Sequence, residues 1–410
     1  MASSGGGVRS FLPSARAGLG CEPAGLYVHV PFCSAVCPYC DFAVARAGEG
    51  DSSRYLRALL REIGLWRAPG ALFDTIYLGG GTPSLLTAEE LRCLFEALRD
   101  RFALTGDARL SIEVNPEDVD ERAVNAWREL GVHTVSLGVQ AFDDAHLRRL
   151  GRRHRSQQAA RSVELVVAAG FDVVSVDLIY GLPDQSRSAW GEALDLAVGL
   201  GARHLSCYEL TVHEGTPFWR WRQRGGLRLP GESARADWFL DTHRRLGALG
   251  WSGYEVSSFA ASRGSRSRHN QKYWRHVPYL GLGPSAHSFD GRRRWWNVRS
   301  WKEWSAAVDA GDVVEAEEDL DAEALALEAL MLGLRTSDGV DLERFRELCG
   351  HDLESERSTE IAELERTGLV ESTEGCLRPT LSGMAIAESL ALRLASDVLR
   401  STPPAGAGNR

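Results

Sequence analysis

Residues 26–40 read Leu-Tyr-Val-His-Val-Pro-Phe-Cys-Ser-Ala-Val-Cys-Pro-Tyr-Cys. The first five of these residues are mostly apolar and β-branched, and they predict a buried strand. Three cysteines, Cys33, Cys37 and Cys40, follow within one short loop. A strand that ends in a loop with three thiols is the feature from which the rest of the chain is best interpreted.

Further short apolar strands follow the first one, and helical patterns separate them. The predicted strands cover residues 26–30, 75–78, 110–114, 134–138, 173–178 and 204–208. The predicted helices include residues 52–66 and 87–101, and Thr87 and Glu90 form a capping-box pattern at the start of the second. Strands that alternate with helices indicate a parallel sheet covered by helices. Six such units favour a barrel-like α/β fold over an open dinucleotide-binding sheet.

Polar or glycine residues stand at or just after the ends of the six predicted strands. They are the three cysteines, Gly79–Gly81, Glu113, Gln140, Asp177 and Glu209. In barrels, the loops at the C-terminal ends of the strands carry the chemistry. We therefore expect the functional site at this end of the sheet.

The composition excludes several classes of partner and location. The formal net charge of −9 argues against binding to nucleic acid or to an anionic membrane surface, because both need a basic surface. No run of about 18 apolar residues is present, so no membrane span is expected. We predict a cytoplasmic protein, because a tight cysteine cluster in a chain without a secretory signal is more often a metal site than a disulfide framework.

The 410 residues are enough for one large domain and a smaller one. Predicted boundaries place a disordered tail at residues 1–24, the barrel with an extension at 25–312, a helical and winged-helix-like domain at 313–400, and a second disordered tail at 401–410. A hairpin pattern over residues 369–380 supports the winged-helix comparison. The acidic composition of this region favours a packing role over contact with nucleic acid.

Two kinds of metal centre are compatible with the cysteine loop when it is taken alone. Three thiolates can hold three irons of a 4Fe–4S cluster and leave the fourth iron open to a chelating ligand. Alternatively, His29 or Asp41 could complete a four-coordinate zinc site. The remaining cysteines are scattered and are expected to be inert thiols; they are Cys21, Cys93, Cys207, Cys349 and Cys376.

The loop resembles the cluster loop of radical S-adenosylmethionine proteins of the oxygen-independent coproporphyrinogen III oxidase family. The likeness continues through motifs that extend over most of residues 25–390. These motifs are Gly79-Gly-Gly-Thr-Pro83, Ser111-Ile-Glu-Val-Asn-Pro116, Ser136-Leu-Gly-Val-Gln140, Asp177-Leu-Ile-Tyr-Gly-Leu-Pro183 and Gly281-Leu-Gly-Pro-Ser-Ala-His287. The resemblance implies a 4Fe–4S cluster rather than zinc, and a partial (βα)6 barrel with a smaller C-terminal domain.

The resemblance also assigns roles to individual residues. It implies that Cys33, Cys37 and Cys40 bind the cluster, and that the open iron chelates S-adenosylmethionine. Positions that contact this first molecule are matched by Tyr27, Gly80, Glu113 and His287. Positions that line a second S-adenosylmethionine site in the oxidase are matched by Tyr39, Gly81, Thr82, Gln140, Arg152, Asp177 and Thr211.

Two departures from the oxidase pattern indicate the shorter, haem-chaperone branch of the family. The oxidase has another cysteine two residues after the third one, whereas this chain continues with Asp41-Phe42. The long N-terminal lead of the oxidase is also missing. The branch carries a His-Asn-x-x-Tyr-Trp pattern, which is present here at residues 269–274. His269 is therefore the predicted haem ligand, with His276, His287 and Tyr273 as competitors.

Two functions follow from the resemblance. The first is a chaperone that binds haem and transfers it to acceptor proteins, expected to be respiratory ones. The second is a radical oxidase that acts on a tetrapyrrole, as in the decarboxylation of coproporphyrinogen III. Either function implies an electron donor such as flavodoxin or ferredoxin, and a homodimer is compatible with both.

Overall fold

The computed structural model describes residues 9–13 and 22–395. Up to residue 209, strands alternate with helices. The strands are β1 (Arg9–Ser10), β2 (Ala24–Val30), β3 (Phe32–Cys33), β4 (Ala45–Arg46), β5 (Trp66–Arg67), β6 (Phe73–Gly80), β7 (Leu104–Val114), β8 (Thr134–Gln140), β9 (Val173–Tyr180) and β10 (His204–Glu209). The helices are α1 (Asp51–Leu65), α2 (Ala88–Arg101), α3 (Glu121–Glu129), α4 (Asp144–Arg149), α5 (Ser156–Ala168) and α6 (Arg187–Gly199).

An extension of short helices and antiparallel strands follows. Its helices are α7 (Pro217–Gln223), α8 (Glu232–Ala248), α9 (Arg268–Trp274) and α10 (Trp301–Ala310). Its strands are β11 (Ser252–Glu255), β12 (Ser258–Ala260), β13 (Tyr279–Leu282), β14 (His287–Phe289), β15 (Arg293–Asn297) and β16 (Val314–Asp319).

The last part of the described chain is mostly helical. Its helices are α11 (Ala322–Gly333), α12 (Leu342–Cys349), α13 (Leu353–Glu356), α14 (Ser358–Arg366), α15 (Leu381–Met384) and α16 (Ala387–Ala395). Three short strands, β17 (Val340–Asp341), β18 (Val370–Thr373) and β19 (Cys376–Pro379), form a sheet in the order β17-β19-β18. The hairpin predicted at residues 369–380 is therefore present.

One twelve-stranded sheet organises the molecule. Its order is β11-β12-β10-β9-β8-β7-β6-β2-β13-β14-β15-β16. Neighbouring strands from β10 through β2 to β13 pair in parallel, and the strands at both ends pair antiparallel. All six predicted strands lie in the parallel part. Because the two ends of the sheet do not pair with each other, the barrel is partial, and the predicted fold class is confirmed.

The sequence explains the local structure of these units. Six of the seven residues of β2 are buried and Tyr27 is half-buried, as expected for a parallel strand covered on both faces. The predicted capping box closes the start of α2: Thr87 Oγ1 accepts from the amide of Glu90, and Glu90 Oε2 accepts from the amide of Thr87. Among the described residues, no helix is both long and apolar enough to cross a bilayer.

The predicted domain boundary at residues 312 and 313 is wrong by about one strand. β16 pairs with β15 along the edge of the large sheet, so residues 314–319 belong to the barrel with its extension. A second core cluster includes Leu330, Phe345 and Leu394, and apart from Phe289 of β14 its buried members run from Leu320 onward. The predicted boundary was based on a change in composition, which does not reveal hydrogen bonds between strands. The pairing of β16 with β15 places the domain boundary after β16.

The predicted N-terminal tail also needs correction. β1 pairs in parallel with β5, and the side chain of Phe11 is fully buried. Phe11 stacks on Phe73 at 5.7 Å between ring centroids and meets Trp295 at 6.2 Å. Residues 9–13 are therefore held against the core by one aromatic anchor, and Ala24 already belongs to β2. Residues 1–8, 14–21 and 396–410, which include the rest of both predicted tails, lie outside the described residues.

Phe11→Ala is expected to lower the free energy of unfolding by about 3 kcal/mol, because the substitution leaves a cavity beside two aromatic rings. The neighbouring Leu12 provides a matched control, since its side chain is 56% exposed. Leu12→Ala should change stability by less than about 0.5 kcal/mol. Urea unfolding followed by tryptophan fluorescence measures both variants. Equal effects of the two substitutions would contradict the anchoring of residues 9–13.

Candidate functional site

The cysteine loop connects β2 to α1, and two short strands fix its ends. β3 pairs with β4 through Phe32 with Ala45 and Cys33 with Arg46. Inside the loop, the amide of Cys40 donates to the carbonyl of Cys37 at 3.2 Å. All three cysteines are free thiols of intermediate exposure. The loop therefore presents three accessible thiols from one small segment of backbone.

Two glycines let the end of β6 approach this loop closely. A Cβ at Gly80 would lie 2.5 Å from the ring of His29, and one at Gly81 would lie 2.6 Å from the carbonyl oxygen of Phe32. Gly80 also has φ of +104°, which L side chains rarely adopt. Glycine is therefore required at both positions for β6 to pack against the cysteine loop.

A cavity of ≈ 400 Å³ opens between the loop and the C-terminal ends of the parallel strands. Its lining includes twelve of the predicted site residues: Cys33, Cys37, Tyr39, Cys40, Gly80, Gly81, Thr82, Glu113, Gln140, Arg152, Asp177 and Thr211. They come from the cysteine loop, from β6 to β9 and from the segments after β6, β8 and β10. The structure thus brings together side chains that are up to 178 positions apart in sequence, from Cys33 to Thr211.

Two half-buried carboxyls, Glu113 and Asp177, face this cavity. Glu113 accepts hydrogen bonds from Tyr77 Oη at 2.8 Å and from the amide of Gly80 at 3.1 Å. Burial, with a smaller contribution from the charge of Asp177, raises the pKa of Glu113 to about 7. Burial likewise raises the pKa of Asp177 to about 6, although Ser136 Oγ donates to its carboxylate at 3.2 Å. Among the described residues no cation acts on Glu113, whereas the Arg152 charge acts on Asp177. A ligand ammonium would therefore favour the charged form of Glu113.

Arg152 connects the cysteine loop to the strand ends. Its guanidinium lies 3.7 Å from Cys37 Sγ, and it donates to the carbonyl of Gly138 at 2.7 Å and to Asn115 Oδ1. Asn115 Nδ2 donates in turn to Thr82 Oγ1 at 3.0 Å, and Thr82 Oγ1 lies 3.5 Å from Cys33 Sγ. One continuous chain of hydrogen bonds therefore joins two of the three thiols. Sequence reasoning missed Asn115, although its place just after β7 was a usable signal.

The arrangement of the thiols fits a cluster better than a single metal ion. Within residues 9–13 and 22–395, no three His, Cys, Asp or Glu side chains converge as one ion would need. In a 4Fe–4S cluster each thiolate binds a different iron, so such convergence is not required. His29, considered above for zinc, is already engaged: its Nδ1 is 3.0 Å from Tyr27 Oη and its Nε2 is 2.9 Å from the carbonyl oxygen of Ala43.

Comparison with known proteins supports the same assignment. The Radical SAM superfamily model matches residues 27–197, and the HemN C-terminal domain model matches residues 320–386. A Mycobacterium tuberculosis protein named heme chaperone HemW is 38% identical over 329 residues, which cover 79% of this chain and 84% of that protein. A Synechocystis protein of the same name is 36% identical over 328 residues, which cover 78% and 79% respectively. The chain belongs to the HemW family.

Two further relatives define how far the similarity extends. The Bos taurus protein named radical S-adenosyl methionine domain-containing protein 1, mitochondrial, is 31% identical over 392 residues, or 92% of this chain and 88% of that one. Among solved structures, coproporphyrinogen III oxidase (HemN) from Escherichia coli superposes with a TM-score of 0.78 at 24% identity, over 93% of this chain and 92% of that chain. The similarity to the Escherichia coli structure shows that the two chains share a fold. Membership of the radical SAM superfamily implies a 4Fe–4S cluster and S-adenosylmethionine.

Three predicted site residues of this HemW family member lie away from the cavity lining. Tyr27 stacks on Tyr77 at 6.3 Å between centroids. His287 is exposed and stacks on Trp296 at 5.6 Å. His269, the predicted haem ligand, is only 2% exposed and stacks on Tyr77 at 5.2 Å. Their assigned ligand roles therefore stay predictions.

Both ring nitrogens of His269 already have hydrogen-bond partners. Nδ1 lies 2.8 Å from Thr75 Oγ1, and Nε2 lies 2.8 Å from Tyr273 Oη. Burial lowers the pKa of His269 to about 3, so the imidazole is neutral at physiological pH. Neutral imidazole is the form that binds iron, but ligation here requires one of the two hydrogen bonds to break.

Glu113→Gln is expected to stabilise the ligand-free protein at pH 8 by about 1–2 kcal/mol, while weakening S-adenosylmethionine binding. The folded-state pKa of Glu113, about 7, exceeds the ordinary value of 4.5. The folded state therefore holds its proton more tightly than the unfolded state. The free energy of unfolding of the unaltered chain therefore falls as pH rises from about 4.5 to 7. Glutamine does not ionise, so the variant does not lose this stability. Urea unfolding at pH 8 and pH 5 measures the effect, and an advantage that is larger at pH 5 would contradict it.

Proposed function

We propose that this chain binds haem and transfers it to acceptor proteins while it carries a three-cysteine 4Fe–4S cluster and an exchangeable S-adenosylmethionine. One observation carries the proposal: identity of 36–38% to proteins named heme chaperone HemW, over 79–84% of their length. The edge of the cysteine loop agrees with it. Asp41-Phe42 replaces the additional cysteine of the oxidase, and the Phe42 side chain is 63% exposed.

Asp41 and Phe42, which follow the third cysteine, form the edge of the cysteine loop. The contacts that hold this edge do not involve a thiol. Asp41 Oδ2 lies 3.3 Å from His213 Nδ1, and the carbonyl of Asp41 accepts a hydrogen bond from Arg299 at 3.0 Å. Asp41, Phe42 and His213 all line the cavity. A carboxylate, an aromatic ring and an imidazole therefore occupy the margin where the oxidase pattern places sulfur, which supports a different use of the site.

In this proposal the cavity residues divide into two groups. Cys33, Cys37 and Cys40 hold three irons, and Glu113 with Gly80 receives the first S-adenosylmethionine, because a carboxylate suits its ammonium group. The second-site residues named above line the same cavity, with Arg152 and Asp177 as its charged members. When bound, the reduced cluster supplies the electron with which radical SAM proteins cleave the sulfonium.

The partners follow from the same proposal. Haem is the cargo, and haem-dependent respiratory proteins are the proposed acceptors. Flavodoxin or ferredoxin is the proposed electron donor for the cluster, and the working form is a homodimer. A cytoplasmic location is consistent with free thiols at all described cysteines, because disulfides persist in oxidising compartments.

The test uses the full chain, reconstituted with iron and sulfide under anaerobic conditions. We expect it to bind one haem per chain, to pass that haem to a haem-free respiratory subunit, and to leave coproporphyrinogen III unchanged when given reductant and S-adenosylmethionine. Formation of protoporphyrinogen would overturn the chaperone proposal in favour of a radical oxidase. Absence of stoichiometric haem binding would overturn it as well.

A further inference from the structure

Arginine is concentrated in two segments that border the cysteine loop, although the chain as a whole is acidic. Residues 145–155 and 215–230 contain no aspartate or glutamate, in a chain of formal net charge −9. Eight arginines of these segments are exposed, and together they are named the arginine patch: Arg148, Arg149, Arg153, Arg155, Arg220, Arg222, Arg224 and Arg228. Positive charge gathered on one part of an acidic protein favours a partner of complementary charge.

Both segments pack directly on the cysteine loop at Pro38, which follows Cys37. The amide of Phe218 on α7 donates to the carbonyl of Pro38 at 3.0 Å. Gly151 approaches the same residue so closely that a Cβ there would lie 2.7 Å from Pro38 Cδ. The next residue, Arg152, is the one whose guanidinium lies 3.7 Å from Cys37 Sγ. The arginine patch therefore borders the part of the loop that carries the thiols.

A small core beneath the arginine patch fixes the two segments relative to the loop. It includes Leu147 and Leu150 of the first segment, Phe218 and Leu227 of the second, and the partly buried Tyr39 of the cysteine loop. Because the inner sides of both segments share this core, their exposed arginines surround one region of the surface, next to the cluster site.

The arginine patch is largely unpaired within residues 9–13 and 22–395. Arg149 lies 3.2 Å from Asp184, and the other seven arginines form no ion pair in this part of the chain. Asp41, the carboxylate at the edge of the cysteine loop, is engaged by His213 at 3.3 Å. The positive charge of the patch is therefore available to an acidic partner.

Exposed aromatic rings accompany the arginines. Trp221 of α7 is 42% exposed, and its ring lies 5.2 Å from that of Phe218 between centroids. Phe218 lies in turn 6.1 Å from Tyr39, which directly precedes Cys40. Phe42, at the edge of the loop, is 63% exposed. Tryptophan and arginine are enriched among the contacts that dominate the energy of protein interfaces, so this combination is typical of a docking surface.

We propose that the arginine patch is the docking surface for a small acidic electron donor that carries a flavin, a protein of the flavodoxin class. This inference rests on the proposed function and adds the surface through which its electron donor acts. The reduced flavin gives one electron to the oxidised cluster and keeps its proton. The flavin is thereby oxidised, the cluster is reduced, and no covalent bond forms or breaks in either protein.

The position of the arginine patch favours this partner over other anionic macromolecules. Electron transfer slows steeply with distance, so a donor has to dock beside the thiols, where the patch lies. A nucleic acid or a membrane surface gains nothing from proximity to the cluster. The exposed ring of Trp221 is suited to contact the planar edge of a flavin, and the arginines steer an acidic protein towards it.

The experiment titrates an acidic flavodoxin into the cluster-loaded full chain by calorimetry, at about 0.02 M and about 0.5 M salt. Arg222→Glu combined with Arg224→Glu is expected to raise Kd about tenfold or more at the lower salt concentration. The difference should shrink to less than about twofold at the higher concentration, because salt screens exposed charges. Trp221→Ala is expected to raise Kd about tenfold at both concentrations, since its contribution is apolar.

A second readout separates loss of docking from damage to the cluster. Reduced flavodoxin should reduce the cluster of the Arg222→Glu, Arg224→Glu variant more slowly than that of the unaltered chain. Dithionite needs no docking surface and should reduce both at the same rate. The matched control combines Arg122→Glu on α3 with Arg366→Glu on α14, two exposed arginines without an ion pair in the described chain. It changes the net charge equally and should bind flavodoxin like the unaltered chain.

Several outcomes would overturn the docking proposal. Equal weakening in the control and the patch variant would attribute the effect to overall charge, and unchanged affinity in the patch variant would place the donor elsewhere. A ferredoxin or a single-stranded oligonucleotide that binds the patch more tightly than flavodoxin would be its occupant instead. Haem binding by the unaltered chain is measured separately, so the chaperone function survives each of these results. A chain that takes up no cluster would overturn both proposals.

Discussion

Cys37→Ala is expected to reduce the 4Fe–4S content of the reconstituted chain to near zero, the largest effect of any single change considered. In the proposed function three protein thiolates hold the cluster, so one substitution removes a third of its protein ligands. Cys37 Sγ also lies 3.7 Å from the half-buried Arg152 guanidinium, which would lose its thiolate partner. Iron and acid-labile sulfide per chain, together with visible charge-transfer absorption, measure the loss.

The control for this prediction is another cysteine of similar exposure. Cys93 lies on α2, outside the cavity lining, and packs against the core of the barrel. Cys93→Ala should retain the cluster content of the unaltered chain. Full cluster content in Cys37→Ala would show that Cys37 is not an iron ligand. Stoichiometric zinc in place of iron, in the unaltered chain reconstituted with both metals, would reinstate the zinc alternative.

The parallel part of the fold was predictable because it rests on local patterns. Strands of a covered parallel sheet are mostly apolar, and in β2 Leu26, Val28 and Val30 form a fully buried apolar row on one face. The antiparallel extension was not predicted. Its strands, such as β14 (His287–Phe289), are three to six residues long, and their pairing depends on partners brought together by the rest of the fold.

Much of the candidate site was also predictable, since parallel strands bring their C-terminal ends to one edge. Glu113 and Asp177 each belong to such a strand, and both face the same cavity. The hydrogen-bond chain through Asn115 could not be predicted, because it needs the positions of Arg152 and Thr82 in three dimensions. A motif reveals which residues are present near a strand end, and the packing of the loops determines which of them contact one another.

The role of His269 shows a different limit of sequence reasoning. Its motif indicates a functional histidine, but a sequence does not report what the two ring nitrogens contact. In the structure Thr75 and Tyr273 occupy both of them, and Tyr77 stacks on the ring. The same residue can therefore be an iron ligand or a buried support of α9, and the two roles predict different behaviour of its variants.

His269→Ala is expected to lower the free energy of unfolding by about 3–5 kcal/mol, because it leaves a cavity and two buried hydroxyls without their partner. Loss of haem binding in this variant alone would therefore not identify an iron ligand. Urea unfolding at pH 7.5 measures the stability change, and haem titration should be performed at a temperature where circular dichroism shows the variant folded. A change below about 1 kcal/mol would contradict the structural role.

Tyr273→Phe separates the two roles, since it removes only the hydroxyl that engages His269 Nε2 and keeps the ring against Tyr279. If His269 supports α9, this variant loses about 1 kcal/mol of stability and binds haem with unchanged affinity. If His269 ligates iron, freeing Nε2 removes a competing hydrogen bond, and haem affinity rises. We expect the first result, because the His269 ring is 2% exposed and lies among Thr75, Tyr77 and Tyr273.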